Sequence, residues 1–201
     1  MIKIKADRGN LLVKEMDHIY RTLGSLVDFV IAGGFPLKAL MGEDSVNSSD
    51  IDLWFPDKEN GDNANNMIAL IGDNYLVAST ENARTYLCSQ FTDPFSTINI
   101  QLIQRDYYQD IKTLINSFDF TVSGVAYYKG FFFLEEHSLE DIASKRLRIN
   151  ANHQIQSDSL GRITKYIKKG FMPDESITLR PDFRELARNT TKESIVYTGG
   201  Y

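Results

Sequence analysis

Three features of the sequence predict an α+β fold in which a small sheet packs against helices. Residues 11–26 (LLVKEMDHIYRTLGSL) space Leu11, Leu12, Met16, Ile19, Tyr20, Leu23 and Leu26 at helical period, so one side of a helix is apolar and needs a sheet to cover it. Residues 29–56 (FVIAGGFPLKALMGEDSVNSSDIDLWFP) read as a strand over 29–32, a double-glycine turn at Gly33 and Gly34, a short helix and loop, and a second strand over 50–55. Residues 97–104 (TINIQLIQ) alternate, with Ile98, Ile100 and Leu102 on one face and Asn99 and Gln101 on the other.

In the first helix His18 reads as a surface residue, since nothing nearby orients it for proton transfer. Pro36 suits the opening turn of the helix after the glycines, where no N–H is missed. Residues 57–66 (DKENGDNANN) are rich in Asp, Asn and Gly and predict a surface loop, with a helix beginning only over 67–71. Short strands follow over 75–79 and 84–87, then the alternating strand, then a helix over 107–115. The segment FFFL (131–134), entered through Lys129-Gly130, predicts a buried strand in a hairpin with the residues before it. A helix start falls at 139–142, and a later helix carries Ile163, Tyr166 and Ile167 as its apolar stripe. On that helix Arg162, Lys165 and Lys169 lie three and four apart and share a side, which reads either as a phosphate-binding face or as a solvated surface. The tail, with Pro173 and Pro181, has weak periodicity and predicts a last short helix over 182–189 and a terminal strand over 193–201.

Composition narrows the class. A chain of 201 residues, 42% hydrophobic and 24% charged, is of ordinary globular make-up, and at this length roughly 70% of the unfolded surface can be buried. Cys88 is the only cysteine, so neither an intrachain disulfide nor a cysteine zinc cluster is available, and a cytoplasmic setting is expected. There is no apolar run near 18 residues and no apolar leader in MIKIKADRGN, so no membrane partner is expected. A net charge of −5 disfavours broad, non-specific binding to nucleic acid, which works by neutralising many phosphates.

The chemistry concentrates in the central stretch. Alternation puts Asp50 and Asp52 on one side of their strand and Ile51 and Leu53 on the other, so two carboxylates face one point. Mg²⁺ takes oxygen ligands and is usually held by one or two carboxylates plus substrate phosphates. Gly33 and Gly34 let the backbone approach a phosphate closely, and the helix after them directs free N–H groups at an anion.

A double glycine and helix followed by an Asp-x-Asp strand resembles the polymerase-β-type nucleotidyltransferase superfamily. Residues 33–42 (GGFPLKALMG) are spaced like the G-G-x-x-R-D-x-x-L-G segment of tRNA nucleotidyltransferases and bacterial poly(A) polymerases, with Leu37 and Lys38 where that segment has Arg and Asp. Residues 118–128 (FDFTVSGVAYY) resemble the family's R-R-D-F-T-I-N-A motif: Asp119, Phe120 and Thr121 match, whereas Ser117 and Phe118 replace the arginines and Ser123 the asparagine. The basic run over 141–171 resembles the neck that follows the catalytic domain in that family.

The resemblance implies a small mixed or antiparallel nucleotidyltransferase sheet packed against helices, with a short helical neck. Residues 1–138 would form the catalytic domain and residues 139–201 the neck and tail. It implies transfer of a nucleoside monophosphate from an NTP to a hydroxyl, with Asp50 and Asp52 as catalytic residues and ligands of Mg²⁺ or Mn²⁺. Gly33 and Gly34 would carry phosphates, and Asp119, Arg162 and Lys165 would bind the nucleotide. The acceptor is an RNA 3′ end, a protein side chain or a small molecule. Many superfamily members add a third acid on the strand after Asp-x-Asp, where this chain offers Asn99 and Gln101. Either two acids suffice, or the domain is degenerate and serves as a nucleotide-, RNA- or protein-binding regulator.

Overall fold

A computed structural model describes residues 1–46, 50–71, 74–93, 95–151, 153, 159–181 and 183–184. The chain divides into two compact units, one of residues 1–116 with 123–136 and the other of residues 117–122 with 137–201.

The first unit is built on an eight-stranded mixed sheet. In chain order it contains β1 (Ile2–Lys5), α1 (Leu11–Leu23), β2 (Val30–Ala32), α2 (Gly34–Leu40), β3 (Ile51–Trp54) and α3 (Lys58–Leu70). Then come β4 (Tyr75–Ser79), β5 (Ala83–Ser89), β6 (Thr97–Ile103), α4 (Ile111–Asn116), β7 (Ala126–Tyr128) and β8 (Phe131–Leu134). The strand order is β1-β8-β7-β2-β3-β6-β5-β4. Only β3 and β6 pair in parallel; every other neighbour in this sheet is antiparallel. The α+β class and the mostly antiparallel sheet are those expected from the sequence.

Helix α1 starts where Asn10 accepts a hydrogen bond from the Val13 N–H at 3.1 Å, a cap that stabilises by about 1 kcal/mol. Its apolar stripe buries Leu12, Val13, Met16, Ile19 and Leu23. The Tyr20 hydroxyl is shared between the carbonyls of Phe29 and Tyr127, 3.0 Å from each, which ties the helix to the strands beneath it. Buried Glu15 is satisfied by the backbone N–H groups of Phe91 and Thr92 and by the Thr92 hydroxyl, at 2.7–3.0 Å. That anchor fixes the loop between β5 and β6 on the helix. His18, expected at the surface, is half-buried, and its ring stacks on Phe91 with centroids 4.2 Å apart.

Two element expectations need correction. Residues 57–66 are not a loop: α3 runs from Lys58 to Leu70, capped by Asp57, whose carboxylate accepts from the Asn60 N–H at 2.8 Å. Gly61, Ala64 and Ile68 form its buried stripe, and a Cβ on Gly61 would lie 3.5 Å from the Phe55 ring, so a small residue lets the helix sit close. The asparagines that suggested a loop bind the sheet instead: Asn60 accepts from the Asp28 N–H at 2.8 Å and Asn65 from the Tyr86 hydroxyl at 2.7 Å. The helix expected over 107–115 is shorter, because Asp110 caps it through Thr113 and the Tyr108 N–H is spent on the Phe55 carbonyl.

The second unit holds α5 (Glu136–Ala143) from its second residue on, β9 (Arg146–Leu147), α6 (Ser159–Lys168), β10 (Met172–Pro173) and α7 (Glu175–Thr178), with β9 and β10 paired in parallel. Its core gathers Phe120, Leu147, Ile163, Tyr166, Phe171 and Ile177. Asp141, 1% exposed, is ion-paired with Arg148 at 3.2 Å and accepts from the Thr121 hydroxyl at 2.8 Å. The tail elements expected over 182–189 and 193–201 lie outside the described residues, apart from 183 and 184.

Candidate functional site

Strand β3 alternates as the sequence predicts. Ile51 and Leu53 are fully buried, Asp52 and Trp54 are half-exposed, and Asp50, just before the strand, is exposed. The parallel register with β6 pairs Asp52 with Gln101, and Ile51 with Ile100. Asn99 lies beside Asp50 and donates from Nδ2 to Asp50 Oδ1 at 2.9 Å. The polar face therefore carries two carboxylates and two amides in adjacent rows.

The glycine turn precedes α2. Gly33 has φ +102°, which a side chain would strain, and its N–H donates to the Val125 carbonyl at 2.9 Å, fixing the turn to the chain just before β7. Gly34 is the first residue of α2, and a Cβ placed on it meets nothing within 4 Å. Gly34 thus borders open space that a ligand could enter up to the backbone.

Asp119, Arg162 and Lys165 lie in the second unit. Arg162 Nη2 stands 3.0 Å from Asp119 Oδ1, and Lys165 is exposed on the same helix. Burial pushes the Asp119 carboxyl above its ordinary range, opposed by the guanidinium beside it. Lys169, the third cation of that helical side, lies over the Tyr166 ring at 5.4 Å.

Among the described residues no cluster of three or more His, Cys, Asp or Glu side chains forms a complete metal cage. The donor set at Asp50 and Asp52 is two oxygen-bearing side chains open to solvent, which fits a hard divalent cation that brings its remaining oxygens from phosphates and water. No helix among the described residues is long and apolar enough to cross a membrane.

The fold matches solved nucleotidyltransferases. A Thermotoga maritima CCA-adding enzyme complexed with tRNA superposes with a TM-score of 0.56 at 16% identity, over 94% of this chain and 45% of that one. A CCA-adding enzyme in complex with ATP gives 0.59 at 20% identity, over 96% and 46%, and the Bacillus stearothermophilus CCA-adding enzyme in complex with CTP gives 0.54 at 15%, over 87% and 42%. The chain thus spans a little under half the length of these enzymes, and at such identities the likeness is one of fold. No curated protein sequence matches. The model of the Gabija anti-defense 2 family matches residues 7–145, more than half of the chain, so the protein belongs to the Gabija anti-defense 2 family and is built on the polymerase-β-type nucleotidyltransferase fold.

Proposed function

We propose that the chain is a metal-dependent nucleotidyltransferase that moves a nucleoside monophosphate from an NTP to a hydroxyl, with an RNA 3′ end as the acceptor class and pyrophosphate as the leaving group. The observation that carries this reading is the alternation that buries Ile51 and Leu53 and leaves Asp52 in β3, and Asp50 just before it, accessible to solvent; at Gly34 a Cβ would meet open space. In this reading Asp50 and Asp52 would hold Mg²⁺ or Mn²⁺, which when bound would supply charge neutralisation for phosphoryl transfer. Asn99 orients the Asp50 carboxylate through its hydrogen bond, and Gln101 flanks Asp52. The backbone at Gly33 and Gly34 receives the β- and γ-phosphates. The resemblance assigns Asp119, Arg162 and Lys165 to the sugar and phosphates of the nucleotide, which would have to share or open the Arg162–Asp119 pair. The same resemblance divides the chain into a catalytic domain over 1–138 and a neck and tail over 139–201.

A second reading is favoured by one observation: amides, not an acid, occupy the β6 positions beside the two carboxylates. On it the domain binds a nucleotide, an RNA or a protein partner and regulates without turnover. Incubation with each labelled NTP, Mg²⁺ and total RNA separates the two, because label on RNA or on the protein requires transfer. The double substitution Asp50→Asn with Asp52→Asn should abolish metal-dependent nucleotide binding while leaving the melting temperature unchanged or higher, since clustered carboxylates repel without a cation. A variant that melts well below wild type without ligand would mean that these carboxylates are structural.

A further inference from the structure

A concavity of about 500 Å³ opens on the side of the sheet opposite Asp52. Its position follows from the pairing: Tyr127 is registered with Ile31, Ile31 with Leu53, and Tyr127 donates its hydroxyl proton to Asp17 of α1. Leu53 and Asp52 are adjacent in β3 and so point to opposite faces. The concavity beside α1 is therefore separated from Asp50 and Asp52 by the sheet itself.

Arg8, Lys14, Arg21 and Lys129 line it, against one carboxylate, Asp17. The lining carries four cations against one anion, in a chain whose net charge is −5. Arg8 stands 3.8 Å from Asp17, and the Lys129 ammonium lies 4.7 Å over the Tyr128 ring. Neither Lys14 nor Arg21 is ion-paired among the described residues. Exposed cations left unpaired beside a concave wall raise the local concentration of anions.

The wall also carries an aromatic platform. Phe91 is 48% exposed, stacks on His18 on one side, and has the Arg21 guanidinium 5.4 Å from its centroid. Burial lowers the pKa of His18, so the imidazole supports the stack as a neutral ring near pH 7. The Glu15 bonds to the Phe91 and Thr92 N–H groups hold the loop that presents the ring. An acidic peptide would use the cations and leave the ring idle, whereas a nucleotide uses both, since every base has a face that stacks on an aromatic ring.

We infer that this concavity is a second nucleotide-binding site, in which Arg8, Lys14 and Arg21 hold phosphate and Phe91 stacks on the base, without a metal ion. It goes beyond the assignment at Asp50 and Asp52 and does not depend on it. The nucleotide comes either free or as a unit of single-stranded RNA.

The test is calorimetric titration in EDTA of the full chain, in wild type and in the Asp50→Asn/Asp52→Asn variant, with ATP, a single-stranded RNA pentamer, inorganic triphosphate and a glutamate-rich peptide. Both proteins should bind ATP or the pentamer alike. Lys14→Gln with Arg21→Gln should weaken both ligands at least tenfold and flatten the salt dependence, since each phosphate contact contributes about 0.9 to the slope of log K on log salt. Phe91→Ala should weaken ATP and RNA at least fivefold and leave triphosphate unchanged. Lys14, Arg21 and Phe91 are exposed and Asp52 is half-exposed, and an unchanged melting temperature confirms that each variant is folded. Tighter binding of ATP identifies the free nucleotide as ligand, and tighter binding of the pentamer identifies RNA. Absence of metal-free binding, binding indifferent to Phe91, or preference for the acidic peptide would each overturn the inference.

Discussion

At the scale of single residues, the protein shows how one side chain takes its role from neighbours far away in the chain. Asn99 sits 49 positions from Asp50 and matters because the parallel register delivers its amide to that carboxylate. Glu15 is an acid on an amphipathic helix whose charge is balanced by two backbone N–H groups from a distant loop, and without them a buried carboxylate would be costly by several kcal/mol. Cys88 shows burial acting on a titration: its thiol is pushed up to about 11, against an ordinary value of 9.0. Between those values the unfolded chain has lost a proton that the folded chain keeps, so this residue's contribution to stability falls as pH rises from about 9 through about 11. Denaturant midpoints measured from pH 8 to 11 should therefore decline more steeply for wild type than for Cys88→Ala. Parallel curves for the two proteins would remove burial of the thiol as the cause.

At the scale of elements, α3 and the glycine turn pull in opposite directions from their composition. Asn and Gly in α3 have poor intrinsic helix propensity, yet the Asp57 cap, the Gly61–Ala64–Ile68 stripe and the bonds from Asn60 and Asn65 hold the helix. The stripe at spacings of three and four was present in the sequence, hidden under residues that usually mark loops. In the glycine turn, Gly33 is required by its φ of +102°, but Gly34 has helical surroundings and open space around its missing Cβ. Gly34→Ala should accordingly leave stability unchanged or raise it by about 0.5–1 kcal/mol. The same methyl group would occupy the space a phosphate needs, so metal-dependent NTP affinity should drop at least tenfold. Equal affinity for the variant and wild type would place the triphosphate elsewhere.

At the scale of the whole molecule, ligand binding is readable as stability. A ligand that binds only the folded chain stabilises it by about 2.7 kcal/mol at a hundred times its dissociation constant. With NTP and Mg²⁺ together the melting temperature should rise by several degrees, and by much less with Mg²⁺ alone. In the Asp50→Asn/Asp52→Asn variant that metal-dependent increment should vanish, while any increment from NTP in EDTA should persist through the cationic concavity beside α1. A metal-dependent increment that survives the double substitution would remove the pair as the cation site.

The sequence by itself determined the α+β class, the strand and helix around the glycine turn, the hairpin at Lys129-Gly130 and the shared side of Asp50 and Asp52. These are legible because periods of 2 and 3.6 and the demands of turns are local properties of the chain. What only the tertiary structure decided is non-local. The order of eight strands, the parallel β3–β6 pair that sets Asn99 on Asp50, and the Arg162–Asp119 ion pair all depend on which segments meet. The cationic concavity is the clearest case: Lys14, Asp17, His18 and Arg21 can be placed on one helix face from their spacing alone, but Arg8 and Phe91 join them only through packing. Residue spacing encodes direction along an element, and burial together with long-range pairing decides which directions converge.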